Sequence, residues 1–486
     1  MSLIRDADLL EDGSPGPALL RNCIEEHRKQ KERFKTLHDY YYGEHAIKKR
    51  QRDNPKAPNN RLVCNHAEYI VDMSTGYFLG NPVKYKSESV EEGKGELDIT
   101  PITDNFKDVD IHSHDVELDR DRSIYGIALE LPFATDDDAP IIDFAEISPE
   151  HGFLVVDDTV KHKPLFGVNY YPQNDVNGVL KQYAIFVYTK DKTYHYTSKT
   201  LEEPSTYNLV NEDDHFFGMV PFIEYKNKKS CQGDFEQVIS LIDAYNLLQS
   251  DRVNDKQQFV DAMLKVVGAS FGDDKDEVTE TVKQLRELGI LELPQGAEAD
   301  WLQKALNETE VEVLKKAIKD DIHEFSKVPC LSDANFASTD SGVALAYKLL
   351  AFEMLIKQKE NFFRQGLKQR LKLMCNYYNI KGFNLDPGCI DIEMSRSLPI
   401  NRQELVNMVV ALDGVVSDET RLSLLDFIDD TKEEIKKLKE DLKEKVKLQQ
   451  ETFGSYEFKQ VDETGEKDDE FVDDGKGGFK SKSKVW

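Results

Sequence analysis

The chain has 486 residues, enough for about two to four domains, and its 39% hydrophobic content leaves material for real cores despite 32% charged residues. Its 91 acidic against 63 basic residues give a net charge of −28. That balance excludes a protein that wraps nucleic acid through phosphate contacts, because such affinity comes from Lys and Arg releasing counterions. An acidic wall instead lets a nucleic acid pass nearby without sticking. Cys23, Cys64, Cys231, Cys330, Cys375 and Cys389 lie far apart with no CxxC pair, so neither a disulfide scaffold nor zinc spacing is present and reduced thiols are expected. The N-terminus lacks the basic-then-apolar pattern of a signal peptide, and no run approaches the ~18 apolar residues of a membrane span, so a product made and kept in the cytoplasm is expected.

Residues 1–16 read as a loose arm. A helix is expected from Pro17, which suits a first turn, to Tyr42 before Gly43. The basic run Lys48–Arg52 and a Pro/Asn-rich loop precede a second helix over Cys64–Leu79. Between about 83 and 230, short segments rich in β-branched and aromatic residues recur: Ile141–Ile147, Phe153–Val156, Leu165–Tyr171, Tyr183–Tyr188 and Val220–Tyr225. Turn signals separate them, and one helix, Asp108–Tyr125, interrupts and stops at Gly126; the pattern predicts an α+β domain of mostly antiparallel strands. Asp234–Leu264 contains no Pro or Gly, enough for about 45 Å of helix. A small module with a short helix near Glu277–Leu288 follows, and a second helix, Glu308–Lys327, returns. After Pro329 comes a polar loop, then a helix over Val343–Tyr378 whose first turns, Val343 to Ile356, are apolar nearly all round. Such a helix is expected to be buried on every side, part of that burial coming from a neighbouring subunit. A strand over Ile390–Ser395 precedes small helices capped by Asn401, with Glu404 three residues on, and by Ser417. The last helix, Thr431–Gln450, carries Ile435, Leu438, Leu442 and Val446 on one stripe, and residues 456–486 read as a disordered tail.

Catalytic signatures are missing: no GxxxxGK[ST], no GxGxxG after a strand, no HExxH and no GxSxG. The nearest candidate for a metal is His112 with His114 and Asp115, after Asp108 and Asp110. On a helix, positions two apart point about 200° apart, so the histidines cannot share an ion, and exposed polar residues are the better reading. The acidic clusters at Asp136–Asp138, Asp273–Asp274 and Asp468–Glu470 lack EF-hand spacing and read as solvated loops. The basic run at 48–52 reads equally well as a contact to nucleic acid or as a solvated loop. No enzyme, cofactor or metal is expected.

Five segments in order resemble the portal protein family of long-tailed phages of Gram-positive hosts. Asn60–Val83 reads NRLVCNHAEYIVDMSTGYFLGNPV; Ser123–Gly126 (SIYG) precedes a strand; Val220–Asn227 (VPFIEYKN) leads to Asp234-Phe-Glu and Leu241–Asn246 (LIDAYN). Ser332–Phe336 (SDANF) is followed by Ser341–Leu349 (SGVALAYKL), and Arg396–Pro399 (RSLP) by Glu404 and Gly414–Thr420 (GVVSDET). Ala337 stands where the pattern has Gly, and Ser397 where it has Asn.

The resemblance implies an α+β portal-type fold: a wing over 1–233 joined by a strand from 386–398, stem helices at 234–264 and 306–327, an α/β clip at 265–305, a tunnel loop at 328–342, a long buried wing helix at 343–379, and a helical crown at 399–455. It also implies a ring of twelve subunits at one capsid vertex of the virion, through which double-stranded DNA passes. The expected partners are terminase, scaffolding and major capsid protein, then head-completion adaptors, with no membrane. The stem helices are net acidic, six acids to two bases over 234–264 and six to four over 308–327, which suits sliding DNA. The loop offers Asn335, Phe336, Ser338, Thr339, Asp340 and Ser341 to face it; Asp340 and Ser341 equally suit a helix cap. A head–tail adaptor is the alternative, though adaptors are much shorter, and a metal-dependent nuclease would rest on His112 and His114.

Overall fold

A computed structural model describes residues 2–11, 13–55, 57–87, 97–136, 140–260, 263–268, 274–288, 295–302, 308–331, 347, 349–397, 402–422, 424–425, 428 and 431–453. They fall into two units, Met1–Leu398 and Pro399–Trp486. The chain opens with β1 (Leu3–Arg5), β2 (Leu10–Glu11), β3 (Ser14–Pro15), α1 (Pro17–Arg28) and α2 (Lys31–Tyr41). The N-terminal residues, expected as a loose arm, are docked: Leu3 and Leu10 pack on a buried cluster containing Leu20, Cys23 and Ile24, and Arg5 bonds Asn22 at 2.9 Å and Glu26 at 2.5 Å. The single helix expected over 17–42 breaks at Lys29–Gln30, where its apolar face changes partner. Leu20, Cys23 and Ile24 serve one core and Phe34, Leu37, Tyr40 and Tyr41 another. His27 ends the first face, its ring held by the Tyr170 hydroxyl at 2.9 Å and the Pro149 carbonyl at 3.0 Å.

Next come α3 (His66–Leu79), β4 (Lys84–Ser87), α4 (Thr100–Asp108) and α5 (Ile111–Tyr125). The Asn65 side chain caps α3 by accepting the Glu68 amide at 3.2 Å. The helix expected over 108–125 starts three residues later, because Asp110 is left-handed (φ 48°) and separates α4 from α5. Gly126 stops α5 as expected (φ 85°), and a Cβ there would lie 2.1 Å from the Cys231 carbonyl oxygen. The strands β5 (Ile127–Ala134), β6 (Ile142–Ile147), β7 (Gly152–Asp157), β8 (Pro164–Asn174), β9 (Leu180–Tyr188), β10 (Lys192–Ser198), β11 (Asn208–Asp214) and β12 (Ile223–Lys226) follow. One sheet has the order β1-β7-β8-β9-β10-β11, antiparallel except for the parallel β1–β7 edge; another is β12-β5-β6. Sequence reading omitted β10 and β11; every β11 position is exposed, so no buried face imposes an apolar alternation on that strand.

Beyond β12 the chain forms α6 (Ile239–Val260), β13 (Met263–Val267), α7 (Lys275–Leu288), β14 (Glu298–Leu302), α8 (Glu308–Ser326), α9 (Leu350–Ile380) and β15 (Ile390–Glu393). α6 is shorter than the expected 234–264. A 3₁₀ turn over Glu236–Val238 precedes it, and Met263–Val267, β-branched at its end, pairs antiparallel with β14 instead of continuing the helix. β15 pairs antiparallel with β4. The first turns of α9 are not buried all round within one chain. Phe352 and Ile356 are buried, whereas Tyr347 is 74%, Leu350 48% and Met354 63% exposed.

The second unit holds α10 (Arg402–Ala411), α11 (Asp418–Leu422) and α12 (Thr431–Phe453). Ser417 caps α11, its hydroxyl accepting the Thr420 amide at 3.3 Å, and the α12 stripe of Leu438, Leu442 and Val446 is exposed. The expected cap Asn401 and the tail at 456–486 lie outside the described residues.

Candidate functional site

Two long helices, α6 and α8, lie together and are clipped by ions. Arg252 reaches Glu312 at 3.0 Å and Glu308 at 3.4 Å, and Lys256 also pairs with Glu308. All of these are surface groups, so each pair contributes little; apolar packing, with Ile322 and Ile242 fully buried, does more. α8 leads to the polar loop. All six of its expected DNA-facing residues, Asn335, Phe336, Ser338, Thr339, Asp340 and Ser341, lie outside the described residues. The near end of the loop is fixed: the Tyr69 hydroxyl donates to the Pro329 carbonyl (3.1 Å) and accepts the Leu331 amide (2.9 Å). Beside it is a cleft of about 330 Å3 lined by Cys64, His66, Tyr69, Tyr245, His323 and Cys330, among others. Burial there, with His323 and Lys319 nearby, lowers the His66 pKa to about 4, so the ring stays neutral.

The far side of the loop is α9, and two buried charge networks lock that helix to α5. In the first, Arg370 meets Glu130 at 2.6 Å and Asp115 at 2.7 Å. Glu130 also accepts from the Tyr225 hydroxyl at 2.7 Å and pairs with His114 at 2.9 Å. Burial alone would raise the Glu130 pKa, but the Arg370 charge and the His114 contact outweigh it and bring it to about 2. His114 moves the opposite way: burial lowers it, but hydrogen bonds to Glu130 and Glu146 raise it to about 9. For Asp115 burial wins over Arg370 and its pKa is raised. The second network centres on Lys359, whose ammonium donates to Asp234 (2.6 Å), Ser123 (2.6 Å) and Ser74 (2.8 Å) and lies 3.8 Å from Asp119. Arg122 pairs with Asp119 and donates to the Lys359 carbonyl at 2.7 Å. Burial would raise Asp234, but Lys359 outweighs it and lowers its pKa. Between the networks α9 presses on β12 at Gly366, where a Cβ would lie 2.2 Å from the Tyr225 ring.

Sequence reading missed these groups, although a signal exists. Lys359 and Arg370 fall at helical spacing with Ile356, Phe363 and Leu367 on the buried stripe of α9, and a charge in that register needs a buried partner. Buried and paired charges correct two expectations. The histidine segment is not an exposed polar face, because His114 has an 11% exposed side chain engaged by two glutamates and Asp115 is buried. Among the described residues no group of three or more His, Cys, Asp or Glu could hold a metal ion. The basic run is not simply solvated either: Arg50 and Arg52 both pair with Asp251 of α6, at 2.8 and 2.7 Å. Of the acidic clusters, Asp137, Asp138, Asp273 and residues 468–470 lie outside the described residues.

Among the described residues no helix is long and apolar enough to cross a membrane. What the described residues of the first unit offer is a long helix pair, α6 and α8, and a helix, α9, fixed by buried charge. Comparison with known proteins gives the same assignment as the five motifs. The chain is similar to the portal protein of Bacillus phage SPP1, 24% identical over 469 residues that cover 90% of this chain and 89% of that one. It is also similar to the portal protein of Clostridium phage phiCD119, 19% identical over 422 residues, 81% of this chain and 89% of that one. The family model for phage portal proteins of the SPP1 Gp6-like type matches residues 20–448, and the chain belongs to that family of phage portal proteins.

Proposed function

We propose that this chain is one of twelve subunits in a ring at a single capsid vertex, that α6 and α8 line its channel as the stem, and that the segment between them forms the clip. The α+β body with β4 and β15 is the wing, and the helices of the second unit form the crown. DNA enters through the ring under the terminase motor and leaves through it after head-completion proteins dock; scaffolding and major capsid protein surround the ring during assembly. The ring does no chemistry of its own. The observation that carries this reading is the family match over residues 20–448. The acidic excess of α8, six acids to three lysines over Glu308–Ser326, supports it, since an acidic wall repels phosphate and lets DNA slide. So do the exposed Leu350 and Met354 on α9 and Tyr347 just before it; in a closed ring a neighbouring subunit covers them.

In this reading Asn335, Phe336, Ser338, Thr339, Asp340 and Ser341 project into the tunnel, graze the phosphates and resist back-slippage. The test shortens residues 335–341 to a Gly/Ser linker and follows in-vitro packaging. Rings should still form, while DNA is packaged less completely or leaks from the head. Unchanged packaging and retention would remove the loop from the mechanism.

A further inference from the structure

The segment from Asn60 to Cys64 lies against α6 in a regular way. The Cys64 amide donates to Asn246 Oδ1 (2.7 Å), the Leu62 amide to Ser250 Oγ (2.9 Å) and the Asn60 amide to Asn254 Oδ1 (2.7 Å). Every second amide of the segment thus meets every fourth side chain of the helix. The spacings agree because two residues of extended chain span about 6.6 Å and four residues of helix about 6 Å. Asn246, Ser250 and Asn254 are all fully buried, so each unmade bond would leave a polar group without water. The ladder is fixed at both ends. Asn246 Nδ2 bonds His45 Nδ1 at 2.8 Å, Asn60 Nδ2 bonds Asn254 Oδ1 at 2.8 Å and Gln257 Oε1 at 2.7 Å, and Arg50 and Arg52 grip Asp251 between two rungs.

We propose that Asn246, Ser250 and Asn254 are positioning residues of the portal channel. They register α6 on the 60–64 strap, so that the rotation and axial height of the channel-lining helix follow the wing. This inference rests on α6 being the stem helix. A helix held only by apolar contacts can roll by small amounts at little cost, whereas three directional bonds on one stripe admit a single rotation. The strap then transmits any wing displacement to the channel wall and keeps the wall from yielding locally as DNA moves past it.

The test compares Ser250→Val with Ser250→Thr. The two side chains have the same bulk, so packing effects cancel and only the hydroxyl differs. With full-length chains, both variants should assemble into rings. Hydrogen exchange of the Leu62 amide should be about tenfold faster in S250V than in S250T, and DNA packaged per ring should fall in S250V while S250T stays close to the unsubstituted ring. Equal packaging by the two variants, or equal exchange at Leu62, overturns the proposal. If S250V yields no rings, the partly exposed pair Arg50→Gln and Arg52→Gln decides by the same two readouts, with faster exchange over 60–64 and reduced packaging expected. Should the unsubstituted chain itself form no ring, it is the stem assignment that fails, not the strap.

Discussion

Replacing Glu130 with Gln keeps its shape and removes the one charge that Arg370 and His114 share. Glu130 is fully buried, and Arg370 and His114 hold its pKa at about 2, below the ordinary glutamate value of 4.5. That difference corresponds to roughly 3 kcal/mol of folding stability at pH 7. Because the folded pKa is the lower one, the contribution is fully present above about pH 4.5 and disappears as pH falls toward 2, with about 1 kcal/mol left at pH 3. Urea unfolding of unassembled subunits, followed by Trp and Tyr fluorescence, should show E130Q less stable by about 3 kcal/mol at pH 7, with the gap narrowing steadily between pH 4.5 and 3. A gap that is constant across that range would mean that shape and not charge makes the difference. An E130Q chain as stable as the unsubstituted one at pH 7 would refute the account of how α9 is anchored.

His114 gives the mirror-image test. Its pKa is raised to about 9, so its contribution is complete below about pH 6.5 and fades as pH climbs through 9; the unsubstituted chain should lose stability over that window and His114→Gln should not. This reports partly on the same contact as Glu130, so the two effects do not add. Lys359→Met leaves Asp234 in the core without its cation, while Asp119 keeps Arg122, and should cost about 3–5 kcal/mol, read as loss of soluble chain or a large drop in Tm. Gly366→Ala drives a methyl into the Tyr225 ring and should cost about 1–3 kcal/mol, read in the urea midpoint. Met354→Arg, on the exposed stripe, should leave subunit stability within about 0.5 kcal/mol yet abolish ring formation by light scattering; rings of normal mass would remove that stripe from the subunit contact.

Much of the fold is legible in the residues because local chemistry sets it. Pro17 and Gly126 mark a start and a stop, and Phe153–Val156 and Tyr183–Tyr188 announce strands by their side chains. Tertiary partners decide the rest. Lys29–Gln30 carries no breaker, and the helix ends there because its two faces belong to different cores. Asp110 takes a left-handed turn that its sequence context does not require. Asn60 and Leu62 look like an ordinary loop, and Cys64 like the start of a helix that in fact begins at His66, until α6 supplies a side chain at every turn. The buried roles of Lys359 and Arg370 needed α5 and β5 in place before their partners became visible. The five motifs carried the family assignment without any of this, since they record order and spacing along the chain, not contacts.

The most direct test of the account is electron microscopy of the purified full-length protein, with its mass measured by light scattering. Rings with a central channel and about twelvefold symmetry are the expected result. A species that stays at the 55.7 kDa of one chain at high concentration and in the presence of scaffolding protein would contradict the portal assembly proposed for it.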